Sequence, residues 1–420
     1  MSRARGLAPV AGHAREREGL ALALARGRLP QSLLLHGPRG VGKQRVALWL
    51  GQLLVCERPG PQGACGACRG CALALRIEHP DVHWFFPLPR PKGASGNRLA
   101  SALEEARAAR LEEIREHPLA PRDRDEIAGI YLAQVHAMKR AVAARPAMAL
   151  RRVLVVGDAE AMVPQEASPE AANAFLKLLE EPPPDTWVLL TTAMPDALLP
   201  TVRSRVAAAR LGPVPADVVT AFLREHAGAD PERAAVVGAL CGGSIGRALE
   251  LLAETGDAGA RARAARLVDA ALARDDSARW AAALAMPVAG SRGEFAETLD
   301  LLAEWFRDIA AHAAAGEGAV INTDRADLVR AWSRRAPRAA EGSAAALDAI
   351  DRALDAARRN ADPQLVTIEL LAELRRAAGE HGPGAGGGAC VPWTGADGRA
   401  RLLRGARGRA TRLLFGTKRR

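Results

Sequence analysis

Large rings are scarce in this chain, with one Tyr, seven Phe and seven Trp among 420 residues, or 4% of the total. An interior of this length must then be filled mainly by Ala, Leu and Val, which favours helices packed through small side chains. Long apolar runs are absent as well. Nothing approaches the ~20 consecutive apolar residues of a bilayer-spanning helix, so no membrane helix is expected. Residues 13–18 are rich in charge where a secretory signal needs apolar residues, and the expected location is the cytoplasm. No nucleophile elbow is read from the pattern, and no carboxylate pair stands at a telling spacing. His36, His79, His83 and His136 likewise lack a metal or triad partner in the pattern.

Acidic residues are outnumbered, 48 against 58 Lys and Arg, for a net charge of +10. The surplus is local. From residue 379 onward nine Lys or Arg face only Glu380 and Asp397, a net +7 that leaves +3 for the rest. This tail, with Trp393 and Phe415 as its aromatics, suits phosphate contact more than base reading, or else a solubilising extension.

The most informative stretch is Gly37-Pro38-Arg39-Gly40-Val41-Gly42-Lys43-Gln44, directly after the apolar run Leu33-Leu34-Leu35. Glycine, four residues, then Gly-Lys is the spacing of a phosphate-binding loop. Gly37, Gly40 and Gly42 let backbone N–H groups turn inward, a following helix presents its positive end, and Lys43 adds a point charge. Such loops place Ser or Thr after the lysine to hold Mg²⁺, and here that residue is Gln44. Asp158 ends a second apolar strand, as a metal-associated acid does. The glutamate expected next is replaced by Ala159, with Glu160 one step later. Both changes touch groups on which phosphoryl transfer depends, so ATP turnover by this chain alone is not expected, whereas ATP or ADP can still be held.

Four of the six cysteines, Cys56, Cys65, Cys68 and Cys71, follow the pattern C-x8-C-x2-C-x2-C on Gly-rich backbone. Four thiolates able to converge describe structural zinc, against the alternative of a cluster of free thiols. Cys241 and Cys390 stand alone. Arg205, after Ser204, reads either as a surface residue at a helix end or as a group reaching into a neighbour's site. Arg247 opens a helix after Gly242-Gly243-Ser244 and lies where it can touch a phosphate.

Strand and helix patterns alternate from about residue 32 to 192, with strands at 32–36, 82–86, 152–157 and 187–192. This predicts a parallel sheet with its ligands at the carboxyl ends of the strands, where Gly37, Asp158 and Thr191 fall. Segment 88–125 reads as a mixed-charge insertion carrying a solvated helix over 99–116. Strand signals stop after Leu211. A small helical unit is expected over 212–257, a longer helical domain over 258–378, and a Gly-rich linker with the basic tail over 379–420. The first domain is thus set at 1–211, with the cysteine module at 56–71.

Further stretches sharpen the comparison: Gly27-Arg28-Leu29-Pro30 before the first strand, Asn173-Ala174-Phe175-Leu176-Lys177-Leu178-Leu179-Glu180-Glu181-Pro182-Pro183, Thr191-Thr192, and Leu199-Pro200-Thr201-Val202-Arg203-Ser204-Arg205. Together with the loop and the cysteines, these resemble the bacterial clamp-loader family of the AAA+ ATPases over residues 7–250. A fainter match covers Arg359-Asn360-Ala361-Asp362-Pro363-Gln364-Leu365. Within the family, the altered loop and missing glutamate resemble the delta-prime subunits of DNA polymerase III, and the ATP-hydrolysing gamma/tau motor is the alternative. The resemblance implies an α/β AAA+ P-loop core, a small helical lid and an all-α collar. It implies Arg205 as an arginine finger offered in trans, Thr191 or Thr192 as sensor one, Arg247 as sensor two, and zinc on Cys56, Cys65, Cys68 and Cys71. The implied partners are the gamma/tau and delta subunits, the sliding clamp through the complex, and primed DNA. Val206 stands where the family usually has Cys, and the tail matches nothing in it.

Overall fold

The computed structural model describes residues 6–91, 93–121, 128–162, 170–253, 259–273, 275–286, 292–316, 320, 326–335, 339–358 and 361–379. The basic tail, the Gly-rich linker and Arg359-Asn360 lie outside these residues.

Helix α1 (Ala14–Ala25) leads into β1 (Ser32–His36), and the loop after it opens α2 (Lys43–Leu54). The cysteine segment carries α3 (Arg69–Leu75), followed by β2 (Val82–Phe85), β3 (Leu88–Pro89) and α4 (Gly96–Glu116). Then come β4 (Ala128–Gly129), α5 (Leu132–Ala143), β5 (Arg152–Val156), α6 (Glu170–Glu180), β6 (Thr186–Thr192), α7 (Pro200–Arg203) and β7 (Ala207–Arg210).

Among the described residues β2, β5, β6, β1 and β7 form one sheet in that order, every neighbouring pair parallel. The strands read as continuous apolar runs because both faces are covered. Alternate side chains divide between two cores. Leu33, Leu35, Val153, Val155 and Leu189 pack with Val46, Leu50 and Leu53 of α2, whereas Leu34, Leu154, Val156, Val188 and Leu190 pack with Val135 and Met138 of α5 and Phe175 of α6. The period of two fixes the register: Leu35 pairs with Thr191 and His36 with Thr192, setting the ends of β1 and β6 level.

Two features differ from the sequence reading. Edge strand β7 is Ala-Ala-Ala-Arg and largely exposed, so neither β-branched residues nor alternation announces it. Helix α4 is not simply solvated. Leu103 and Leu111 are buried in the α2-side core, Arg107 donates to the Trp84 carbonyl at 3.2 Å, and its guanidinium sits 4.6 Å from the Phe85 ring centre. Arg115 donates to the carbonyls of Arg76 and Ile77 at 3.0 and 2.8 Å. The insertion helix therefore packs along β2, the strand at one margin of the sheet, through long arginine stems whose heads satisfy backbone carbonyls.

Beyond the sheet the described chain is helical. Helices α8 (Ala216–His226), α9 (Pro231–Leu240) and α10 (Ile245–Ala253) share a small core of Val219, Phe222, Leu223, Val237 and Ala248, with Cys241 buried in it. Helices α11 (Ala260–Leu272), α12 (Asp276–Leu284), α13 (Arg292–Ala315), α14 (Ala326–Arg335), α15 (Ala339–Arg358) and α16 (Pro363–Ala377) enclose a larger one. Phe306 and Trp332 meet edge to face there, 4.6 Å between centroids. None of the described helices is long and apolar enough to cross a membrane.

Candidate nucleotide and metal sites

The loop from Gly37 to Gly42 needs its glycines for two separate reasons. Gly37 (φ 151°) and Gly40 (φ 75°) adopt backbone angles open to glycine, and a Cβ at either would run into a neighbour, the Leu211 carbonyl and the Ser244 hydroxyl respectively. Gly42 (φ 98°) turns the chain into α2, whose first residue is Lys43. The ammonium of Lys43 is buried and curls back into the loop, donating to the Gly37 and Pro38 carbonyls at 3.0 and 2.7 Å. Positive charge and the N-terminal end of α2 thus converge on one spot, the arrangement that attracts a phosphate. The loop also bonds to the lid helices, because the Gly246 N–H donates to the Gly40 carbonyl at 3.0 Å.

Gln44 and Asp158 meet directly. The amide Nε2 donates to Asp158 Oδ2 at 2.8 Å. Asp158 is in a left-handed conformation (φ 47°), and its backbone N–H donates to the Thr191 hydroxyl at 3.1 Å. Thr191 and Thr192 are fully buried at the end of β6. The Thr192 hydroxyl accepts from the Met194 N–H at 3.0 Å. Ala159 is buried and offers no polar group. Glu160 lies in a short 3₁₀ turn, with Oε1 accepting the Ala193 N–H at 3.2 Å. Burial pushes its carboxyl above the usual carboxylate range, against hydrogen bonds from Thr192 and Ala193 that pull it down. Its Oε2 is buried with no hydrogen-bond partner among the described residues. Glu160 is thus committed to the chain after β6.

Arg247 stands on the lid side of the loop. Its backbone N–H donates to the Ser244 hydroxyl at 3.2 Å, and its guanidinium pairs with Glu304 of α13. Arg205 lies between α7 and β7, exposed but tethered: Nη1 donates to the Thr201 carbonyl at 2.9 Å, and Nη2 lies 2.7 Å from Glu180 Oε1 at the end of α6. The sequence patterns that end in Glu180 and Arg205 therefore meet in space.

The four clustered cysteines converge, every pair of sulfurs lying within 4.8 Å. Zinc–sulfur bonds of ~2.3 Å require tetrahedral sulfurs ~3.8 Å apart, and Cys65 and Cys71 already stand at 3.9 Å. Backbone N–H groups of Arg58 and Cys65 point at Cys56 Sγ (3.4 and 3.3 Å), and that of Cys71 points at Cys68 Sγ (3.3 Å), a donor set suited to thiolates. Backbone N–H groups of Ala67 and Cys68 draw the Cys65 thiol down to about 6, while burial pushes Cys56 and Cys71 up. A central cation would stabilise all four as thiolates, so the residues fit a tetrahedral thiophilic metal.

Residues 12–215 match the family model described as DNA polymerase III, delta subunit. These residues, just under half of the chain, are similar to that family. Among its relatives, the DNA polymerase III subunit delta' of Pseudomonas aeruginosa is 33% identical over 182 residues, 43% of this chain and 42% of that protein. The Escherichia coli subunit delta' is 30% identical over 234 residues, 56% and 58% of the two chains. A gamma/tau subunit of Mycobacterium tuberculosis is 27% identical over 198 residues, 47% and 27%. The chain spans about half the length of the delta' relatives it matches.

Within the matched region, sequence reasoning assembled Gly37, Gly40, Gly42, Lys43, Gln44, Asp158, Thr191 and Thr192 about one loop, and the structure brings them together at the ends of β1, β5 and β6. It did not find Asp81, a fully buried carboxylate that accepts the N–H groups of Ala147, Met148 and Ala149 at 2.6, 2.7 and 2.8 Å and lies 3.4 Å from Arg152. Burial raises its carboxyl, but these donors outweigh burial and hold it below the usual value. Its role is to fix the turn before β5. A lone Asp in a loop carries no spacing signal for that.

Proposed function

We propose that this chain is a delta-prime subunit of a DNA polymerase III clamp loader, a stator that helps place a sliding clamp on primed DNA beside gamma/tau motor and delta subunits. The observation that carries the reading is the Gln44–Asp158 bond beside a buried Ala159, which puts an amide and a methyl group where hydrolysis calls for a metal-ligand hydroxyl and a water-activating carboxylate. The motor alternative would need Glu160 to activate water, and its commitment to Ala193 and Thr192 argues against that. In this reading Arg205 is an arginine finger, offered in trans to ATP on the adjacent motor subunit. Thr191, Thr192 and Arg247 are inherited sensors, and zinc on Cys56, Cys65, Cys68 and Cys71 is structural. The domains run over 1–211, 212–257 and 258–378, the last serving as the oligomerising collar, and the protein works in the cytoplasm.

The test is ATP turnover, first with the chain alone and then with motor and delta subunits, clamp and primed DNA. No turnover alone and a rise on mixing are expected. Arg205→Ala should leave assembly intact and lower turnover at the adjoining motor site by ~10³-fold or more, the scale known for arginine fingers. Turnover by the isolated chain that Lys43→Ala abolishes would instead make it a motor.

A further inference from the structure

Nucleotide sites built on this loop hold Mg²⁺ between the hydroxyl after the lysine and the acid at a neighbouring strand end. The ion demands near-octahedral oxygen at ~2.0–2.1 Å. The residues at these two positions do not fit it. The atom of Gln44 that faces Asp158 is a donor nitrogen, 2.8 Å from Oδ2. Turning the amide over would set its oxygen against the carboxylate, two acceptors face to face, so the nitrogen must point inward. Packing fixes the side chain as well. A Cβ on Gly157 would come within 2.6 Å of Gln44 Cδ, so the amide lies flat on the glycine at the end of β5. The hydrogen bond from its own N–H to Thr191 fixes the Asp158 backbone, and its carboxylate is held by the Gln44 amide.

The half of the site that recognises phosphate does not depend on that ion. Lys43 would exchange the Gly37 and Pro38 carbonyls for phosphate oxygens, and the N-terminal end of α2 is unchanged. On the lid side, Arg247 has Nε and Nη2 buried without a hydrogen-bond partner among the described residues, two further donors for an anion. We infer that the loop takes a nucleoside di- or triphosphate free of divalent cation, with the Gln44 N–H standing where the metal would. This deepens the nucleotide part of the reading above and makes no use of Arg205.

The experiment is calorimetric titration of the full chain with ADP, in excess Mg²⁺ and again in EDTA at equal ionic strength. Affinity in EDTA should equal or exceed that in Mg²⁺, and Lys43→Ala should abolish binding in both. Gln44→Thr restores an oxygen ligand and should bind about tenfold more tightly with Mg²⁺ than without. Manganese relaxation on the same samples should report a nucleotide-dependent bound ion only in that variant. Wild-type binding tenfold weaker in EDTA would overturn the inference, as would no ADP binding in either solution. Because the isolated chain is measured, failure here leaves the ring assay of Arg205 to stand or fall separately.

Discussion

His83, in the middle of β2, illustrates how an environment can set the charge of a side chain. Burial, reinforced by Arg152 and Arg107, lowers it to about 4 from an ordinary 6.5. The folded protein therefore prefers the neutral ring. The unfolded chain binds the proton first as pH falls, so the contribution of His83 to stability is complete above about 6.5 and is lost between there and about 4. Urea midpoints should drop between about pH 7.5 and 5, and His83→Gln should show a shallower drop; an equal drop in the variant would assign the slope elsewhere. At this same scale the sequence was readable where residues sit at fixed spacing, as in the loop and the cysteines. Gln44 was recognised as a departure, but its partner was not, because 114 residues separate it from Asp158 and only the sheet order brings them together.

Among the elements, strands buried on both faces were legible because Leu33-Leu34-Leu35 and Val153-Leu154-Val155-Val156 leave no other reading, and α6 was legible from its apolar stripe. Strand β7 was not: alanine prefers helix, and only the pairing of 207–210 with β1 makes it extended. Helix α4 misled because its arginines look solvated in sequence, whereas their stems cover apolar surface. The cysteine segment has little core of its own, since Cys56, Cys68 and Cys71 cluster with Ala64, and in the zinc reading the metal is what orders it. A chelator under reducing conditions should release one zinc per chain, and Cys71→Ser should abolish metal binding and lower the unfolding midpoint by ~3 °C or more. Protein purified without zinc and with an unchanged midpoint would refute the site.

For the whole molecule, the balance of charge matters more than its total. With +7 of +10 gathered after residue 379, outside the described residues, the tail is where attraction to a polyanion is to be tested. Deleting residues 396–420 should weaken binding to primed DNA and flatten its dependence on salt, since each phosphate that Lys or Arg no longer neutralises lowers the slope by ~0.9. An unchanged slope would leave the tail as a solubilising extension.

The backbone bonds around the phosphate loop carry a consequence for its history. Gly246 N–H to Gly40 joins the small helical unit to the loop, Leu211 N–H to His36 carries the chain off the sheet, and Val214 N–H to Gly243 closes the turn beyond it, all through peptide groups. Substitution at Gln44 or Ala159 does not touch these bonds, so a lineage can change the residues at those two positions while the joint keeps them. Chemistry and mechanics are then free to be inherited separately, and a catalytic loop can outlive its catalysis as a fastening.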